Sequence, residues 1–203
     1  MSKSWLASDR FALAMAPGGM ALVQDFLNTA AIGGTSDLLA DPETAHQWVN
    51  DAVQAWSVTR GEDLHPPALN AVDLTTLQIL RSQLGSLLSG EAEGSGDLGV
   101  DVGVGIVSTS FGLSETGAVR LEPAGDGWQW LASALWGEAL LSQATDTWRR
   151  LKQCRNPDCR SAFYDRSKNN SGVWHNVKAC GNAANLRASR ARRRQNRPTG
   201  DEE

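Results

Sequence analysis

The sequence predicts an α+β protein in two parts, an N-terminal domain at residues 1–148 and a small module at residues 149–203. Three observations lead to this prediction: helical spacing of apolar residues, strand-like alternation between the helical segments, and a cysteine cluster near the C-terminus. The N-terminal domain is expected to combine helices with short antiparallel strands. With 203 residues, 41% of them hydrophobic, the chain is long enough to bury a packed core.

Two helices are predicted with defined ends in the N-terminal domain. Asp41 is the expected N-cap and Pro42 the first helical residue of a helix over residues 42–57. Its apolar residues recur at helical spacing, and leucines with the same spacing predict a second helix over residues 70–88.

The first thirty residues give weaker signals. Alternating apolar residues predict a strand over residues 11–15, and the sequence "PGG" predicts a tight turn at residues 17–19. The apolar stretch at residues 20–29 fits more than one secondary structure, so its state stays open.

The second half of the domain is predicted to contain a loop, short strands and a last helix. Residues 90–99 are rich in glycine and predict a loop, and the alternation that follows predicts a strand over residues 100–106. Residues 117–130 predict two short strands around a Pro/Gly/Asp turn. A helix over residues 131–152 is expected to lead directly into the cysteine cluster.

Charge divides the chain close to the predicted domain boundary. Residues 1–148 contain 5 Lys and Arg against 18 Asp and Glu, whereas residues 149–197 contain 14 against 2. The net charge of −4 conceals this division. A strongly basic segment on an acidic protein indicates a polyanionic partner for that segment.

Composition also bears on where the protein works. No run approaches the 18 apolar residues of a membrane helix, and the first ten residues lack the basic-then-apolar order of a signal peptide. Three cysteines in 203 residues do not make a disulfide framework. We therefore expect a cytoplasmic protein with no membrane partner.

The cysteines lie at metal-binding spacing. Cys154, Cys159, His175 and Cys180 form the pattern Cys-x4-Cys-x15-His-x4-Cys. Two close pairs separated by a moderate insert suit a tetrahedral site, because each pair supplies one edge of the tetrahedron, and thiolate with imidazole is a donor set that zinc prefers. The sequence therefore predicts one structural Zn²⁺ per chain.

Local sequence fits this site. The residues "RNPD" between the first two cysteines suit a tight turn, and a helix beginning near His175 would carry the last two ligands, in a treble-clef-like layout. Asp165 is expected to cap a turn. The alternatives are three unrelated cysteines, or a hydrolytic zinc, which a set of four protein ligands argues against.

The helix after Cys180 is the predicted nucleic-acid surface. At 100° per residue, Val177, Cys180, Ala184, Ala188 and Ala191 share a side that is expected to pack on the zinc site. Arginines occupy the adjoining side, and the planar guanidinium suits phosphate or guanine edges. The predicted DNA-binding residues are Arg187, Arg190, Arg192, Arg193, Arg194, Arg197, Lys178, Lys168 and Arg166.

Other partners stay open for this helix. Duplex DNA is favoured over RNA, because a platform of several exposed aromatic residues is missing from the sequence of the module. A solvated basic tail, docking on the acidic N-terminal domain, and binding to an acidic protein partner are the alternatives.

These residues resemble the CGNR zinc-finger family. The resemblance is carried by Cys154 and Cys159, "FYDRS" at residues 163–167, "WH" at residues 174–175 and "CGNA" at residues 180–183. Histidine stands where the family usually has its third cysteine, and Ala183 replaces the arginine of the signature. Arg187, one helical turn later, is the candidate substitute.

The N-terminal part is similar to the ABATE-type domain that precedes this finger. The similarity runs through "LVQDFLNT" at residues 22–29 and "DLLADPETAHQWV" at residues 37–49. The resemblance implies a stress-related transcription regulator that is not an enzyme, with the N-terminal domain sensing an unidentified small effector or associating with other chains.

Some N-terminal side chains are assigned to structure rather than to a site. Three tryptophans at helical spacing, Trp48, Trp56 and Trp136, are expected in the core, and two histidines, His46 and His65, on the surface. The polar residues of "DFLNT" are expected to cap the next element, with a pocket lining as the alternative.

Overall fold

The computed structural model describes residues 5–89 and 106–195 of the chain. Six helices and two hairpins make up this part: α1 Leu6–Asp9, α2 Met20–Leu27, α3 Pro42–Arg60, α4 Ala71–Ser89, β1 Thr109–Leu113, β2 Val119–Pro123, α5 Gly127–Ala144, β3 Leu151–Gln153, β4 Ala162–Tyr164 and α6 Asn182–Gln195. A 3₁₀ turn at Trp148–Arg150 precedes β3, and a π turn at Val177–Gly181 precedes α6. The α+β prediction is confirmed.

Helix α3 begins as its sequence predicts. The Asp41 side chain accepts hydrogen bonds from the backbone N–H groups of Glu43 and Thr44, both at 3.0 Å, and Pro42 occupies the first turn. The helix runs one turn beyond the predicted end, to Gly61 in the left-handed conformation. Helix α4 covers the second predicted helix, and Asn70 caps it through the N–H of Val72 at 2.8 Å.

The main core lies between α2, α3, α4 and α5. Trp48 and Trp56 of α3 are completely buried, as predicted, whereas Trp136 is half-buried at the edge of the core. His46 and His65 are exposed, in agreement with the prediction. No helix in the described ranges is long and apolar enough to cross a membrane.

The prediction of a strand at residues 11–15 is wrong. These residues form turns and irregular structure after α1, and no described strand lies beside them. The alternation of exposure is present, but Ala12 has a left-handed φ of 50°, which breaks the extended backbone. The apolar stretch at residues 20–29, left open above, begins with helix α2.

The first hairpin lies N-terminal to its predicted place. β1 and β2 pair in antiparallel register with Phe111 opposite Leu121, and residues 127–130, predicted as a strand, form the first turn of α5. The reason is a tertiary contact, since the Asp73 carboxylate accepts the N–H of Trp128 at 3.2 Å and so caps α5. The loop predicted at residues 90–99 and most of the strand predicted at residues 100–106 lie outside the described residues.

The last helix of the N-terminal domain ends earlier in the structure than the sequence predicts. Helix α5 stops at Ala144 instead of continuing to residue 152, and Asp146 has a left-handed φ of 56°. The N–H of Thr147 returns to the carbonyl of Ser142 at 2.9 Å, which closes the helix end. The chain is thereby released to form β3, which leads into Cys154.

A polar segment of α2 joins the two parts of the chain. Asp25 accepts the N–H of Ser8 at 2.8 Å and the indole N–H of Trp48 at 2.9 Å, and burial raises the pKa of Asp25. Asn28 bonds both backbone groups of Ala162 in β4. Asp25, Asn28 and Thr29 are therefore buried structural groups that bond distant parts of the chain, and they do not cap the next helix, whose cap is Asp41.

The C-terminal module shares the main core. Leu151 of β3 and Ala162 of β4 are 3% exposed and belong to the same apolar cluster as α2 and α4. The zinc module is therefore built against the helices, and its hairpin depends on them for burial.

Candidate metal centre and basic surface

The hairpin β3–β4 delivers the first two cysteines. The strands pair with Gln153 opposite Ala162, and the N–H of Cys154 donates to the carbonyl of Ser161 at 2.9 Å. The predicted turn lies between the strands, where the N–H of Cys159 donates to the carbonyl of Asn156 at 2.8 Å. Strand pairing and this turn place both cysteines at the tip of the hairpin.

Lys152 and Asp165 fix the loop that carries His175. The Lys152 ammonium contacts Asp165 Oδ2 at 2.7 Å and the carbonyls of Asn170 and Gly172 at 2.6 and 3.1 Å. Burial works against the charge of Asp165, but Lys152 and the N–H groups of Ser167 and Gly172 hold the pKa of Asp165 below its usual range. The predicted turn-capping role of Asp165 is confirmed.

The loop then returns across the hairpin tip. The N–H of Arg155 donates to the carbonyl of Val173 at 3.0 Å, which places His175 beside the cysteines. The helix begins later than the prediction near His175, because Asn176 is the N-cap and accepts the N–H of Ala179 at 3.0 Å. His175 therefore lies in the loop, and only Cys180 comes from the first turn of the helical segment.

The four predicted ligands converge. One donor atom each from Cys154, Cys159, His175 and Cys180 lies within 4.8 Å of all the others. His175 Nδ1 is 3.3 Å from Cys159 Sγ and 3.6 Å from Cys180 Sγ. Zinc with bonds of about 2.3 Å to sulfur and about 2.0 Å to nitrogen requires tetrahedral S···N edges of about 3.5 Å. The donor set and its spacing fit one structural Zn²⁺, with Nδ1 as the histidine donor.

Residues 150–193 match the model of the CGNR zinc finger. The matched segment begins in the 3₁₀ turn before β3 and ends in α6, so it contains all four metal ligands. A search of curated proteins found no match to the chain. The matched segment gathers its three cysteines in one place, which argues against the alternative of three unrelated thiols.

Ser161 is a residue of the centre that the spacing argument missed. Its side chain is completely buried, and its Oγ lies 3.2 Å from both Cys159 Sγ and His175 Nδ1. Hydrogen bonds, first from Cys154 and then from Ser161, lower the pKa of Cys159, which favours the thiolate that zinc requires. A serine two residues after the second cysteine is too common a feature to signal this role in sequence.

The basic residues of α6 divide into two groups. Arg190, Arg192 and Arg193 are exposed, as is Lys178 in the π turn. Arg187 instead donates to the Asp158 carboxylate and to the side-chain oxygen of Asn156, both in the turn between the first two cysteines. Helix α6 is thereby fastened to the metal centre. The side chain of Arg194 and the whole of Arg197 lie outside the described residues.

The other two predicted contacts lie on the loop after β4. Arg166 and Lys168 are exposed. Arg166 donates to the carbonyl of Met15 at 2.6 Å and lies over the ring of Tyr164, so part of its hydrogen-bonding capacity is already used.

The prediction that one face of α6 packs on the metal centre is only partly correct. Cys180 is buried and Ala184 half-buried, but Val177 is 68% exposed and Ala188 is also exposed. The helix leaves the centre within two turns, because Arg187 rather than the alanine row makes the lateral contact. Ala183, in the place of the signature arginine, lies one turn before this contact.

Proposed function

We propose that the protein binds duplex DNA through its CGNR finger and acts as a transcription regulator. The observation that carries the proposal is the exposure of Arg190, Arg192 and Arg193 around a helix that begins at a metal-holding centre, with Arg190 and Arg193 one turn apart on the same side and Arg192 on the other side. Guanidinium groups make bidentate contacts with phosphates and with the guanine edge in the major groove.

Rigid attachment of the helix supports this proposal. Cys180 ties its first turn to the predicted zinc, and Arg187 ties its second turn to Asp158. A helix that is held at two points presents its arginines without the full entropy loss of ordering a free tail on binding. This arrangement argues against the solvated-tail alternative.

The aromatic residues of the finger support duplex DNA over single-stranded RNA. Phe163 is buried beside Cys154 and Cys180, Trp174 is half-buried against the same cluster, and Tyr164 is covered on one side by Arg166. Single-strand binding surfaces need exposed rings on which bases stack. The aromatic residues of this finger are used for packing instead.

A salt titration tests the proposal directly. Binding of a fluorescent duplex to the full chain is measured by anisotropy between about 50 and 300 mM salt, for wild type and for the triple variant R190Q/R192Q/R193Q. The wild type should show a steep negative dependence on salt, and the variant a slope smaller by about 3, at roughly one unit for each lost phosphate contact. An unchanged slope with unchanged zinc content overturns the proposal.

A protein partner is the second candidate function. Leu186 is 55% exposed on α6 and Val177 is exposed in the preceding turn, so the basic helix also carries apolar surface. An acidic protein would use both features. Loss of an affinity-captured partner in L186S, with DNA binding retained, would favour this function over DNA binding.

The N-terminal part enters the proposal as the sensing or associating domain, as resemblance to ABATE-type domains implies for stress-related regulators. The proposal is non-enzymatic, because four protein ligands fill a tetrahedral zinc shell and leave no position for a reacting water. It implies a cytoplasmic location in association with the nucleoid.

A further inference from the structure

A second basic surface lies at the hairpin tip and is formed by residues outside the set of predicted DNA contacts. It is a groove of about 860 Å³ between the end of α4, the 3₁₀ turn and the loop that leads to His175. Arg149, Arg155 and Arg160 line it, together with Trp148 and Lys152. None of the three arginines belongs to helix α6, and all three are exposed.

The groove has a one-sided charge. Among the residues that the structure describes, no aspartate or glutamate lines it. Of the two carboxylates of the finger, Asp158 binds Arg187 of α6, whereas Asp165 binds Lys152 and so offsets one of the positive charges that line the groove. Arg149 pairs with Asp146, but both side chains are more than half exposed, and such a pair is weak enough to yield to a phosphate.

The shape and chemistry suit a strand of nucleic acid. Leu87, Leu88, Leu151 and Val173 give the groove apolar walls, and the half-buried ring of Trp148 lies among the cationic side chains. Sugars and base edges contact apolar and aromatic surface, while phosphates contact arginine. A small inorganic anion would make no favourable contact with the apolar walls.

We propose that this groove holds the sugar-phosphate backbone of the same DNA that α6 engages. The inference rests on the proposed function, and it adds a contact surface that the sequence did not indicate. The groove lining includes Pro157, which lies between the two residues that Arg187 of α6 contacts, so both basic surfaces meet at the hairpin tip. Arg149 and Arg155 would therefore extend the backbone contacts of a duplex seated on α6.

Two charge-matched double variants of the full chain test the inference. R149Q/R155Q removes two positive charges from the groove, and R192Q/R193Q removes two from α6. Arg160 is left intact, because it has a left-handed φ of 54° beside Cys159. Duplex affinity is measured against salt as above, with zinc content and melting temperature recorded to show that each variant is folded.

We expect R149Q/R155Q to reduce the steepness of the fall of log affinity with log salt by about 2. The variant should also weaken binding to duplexes of different sequence by the same factor. If R149Q/R155Q has the slope of wild type while R192Q/R193Q is impaired, the proposed role of the groove is overturned and the proposed function stays intact. Impairment in R149Q/R155Q alone supports the groove and removes α6 as the contact. Absence of binding by wild type overturns both.

Discussion

The side-chain amide of Asn28 pairs with both backbone groups of Ala162. Its Nδ2 donates to the carbonyl at 2.9 Å, and its Oδ1 accepts the N–H at 2.9 Å. Asn28 is completely buried at the C-cap of α2, and Ala162 lies in β4, directly after the cysteine turn. The amide thus makes the two hydrogen bonds to β4 that a neighbouring strand would make. It thereby couples the stability of the finger to that of the helical core.

Replacing Asn28 with alanine should therefore destabilise the whole chain. The change leaves the buried N–H of Ala162 without a partner and its carbonyl with only the 3.5 Å contact from Gln24 Nε2, which we expect to lower the free energy of unfolding by about 2–4 kcal/mol. Urea unfolding followed by circular dichroism measures the loss. The exposed Asn50 of α3 provides the control, since N50A should change the free energy by less than about 0.5 kcal/mol. Equal effects of the two changes would contradict the coupling.

Metal removal should destabilise more than the finger. We expect one zinc per chain by elemental analysis, and chelation should lower the melting temperature of the full chain, because Leu151 and Ala162 belong to the main core. H175A should lose the metal and reproduce the chelated state, whereas H65A, which changes an exposed histidine, should retain it. A chelated protein that melts like the untreated one would refute this prediction.

Gly172 should not tolerate a side chain. A Cβ atom at this position would lie 2.8 Å from Asp165 Oδ1 and 3.0 Å from Oδ2, so G172A must displace the buried carboxylate that holds the loop. We expect a loss of about 1–3 kcal/mol in the free energy of unfolding. G85A is the matched control, because a Cβ there meets no atom within 4 Å inside α4 and should stabilise the helix by about 0.5–1 kcal/mol. The same sign for both changes would be evidence against the close approach.

The ion pair of Lys152 with Asp165 should give a pH-dependent contribution to stability. D165N is expected to cost about 3 kcal/mol at pH 7, because it leaves Lys152 without its counter-charge. The folded pKa of Asp165 lies below the value of about 4 in the unfolded chain, so its contribution is present above pH 4 and is lost as the pH falls below 4. Urea unfolding of both proteins between pH 3 and pH 7 measures this. A wild-type advantage that is constant over the range would contradict the assignment.

Arg187 should act by positioning α6 rather than by contacting DNA. R187Q breaks the contact with Asp158 and should increase hydrogen exchange of the amides at residues 182–190 in the free protein. R190Q, which changes an exposed arginine of the same helix, should leave this exchange unchanged. D158N separates the two roles for Arg187. It weakens DNA binding if the contact orients the helix, and strengthens binding if Arg187 is needed at a phosphate.

Local signals predicted the elements that depend on neighbouring residues. Asp41 and Pro42 specify the start of α3 wherever that helix packs, because a cap satisfies the N–H groups of its own first turn. The metal ligands were found for a similar reason, since close Cys and His pairs at this spacing have few other uses. The strand predicted at residues 11–15 failed because alternation alone does not supply a partner strand.

The sequence by itself determined the four metal ligands, the two long N-terminal helices and the concentration of positive charge at one end of the chain, because each of these depends on residue type and spacing. Only the tertiary structure decided where α5 ends, how Asn28 completes the finger hairpin, that Ser161 contacts the metal ligands, and which arginines of α6 are exposed. These features depend on groups far apart in the chain, and hydrogen bonds and burial between such groups exist only after the chain has folded.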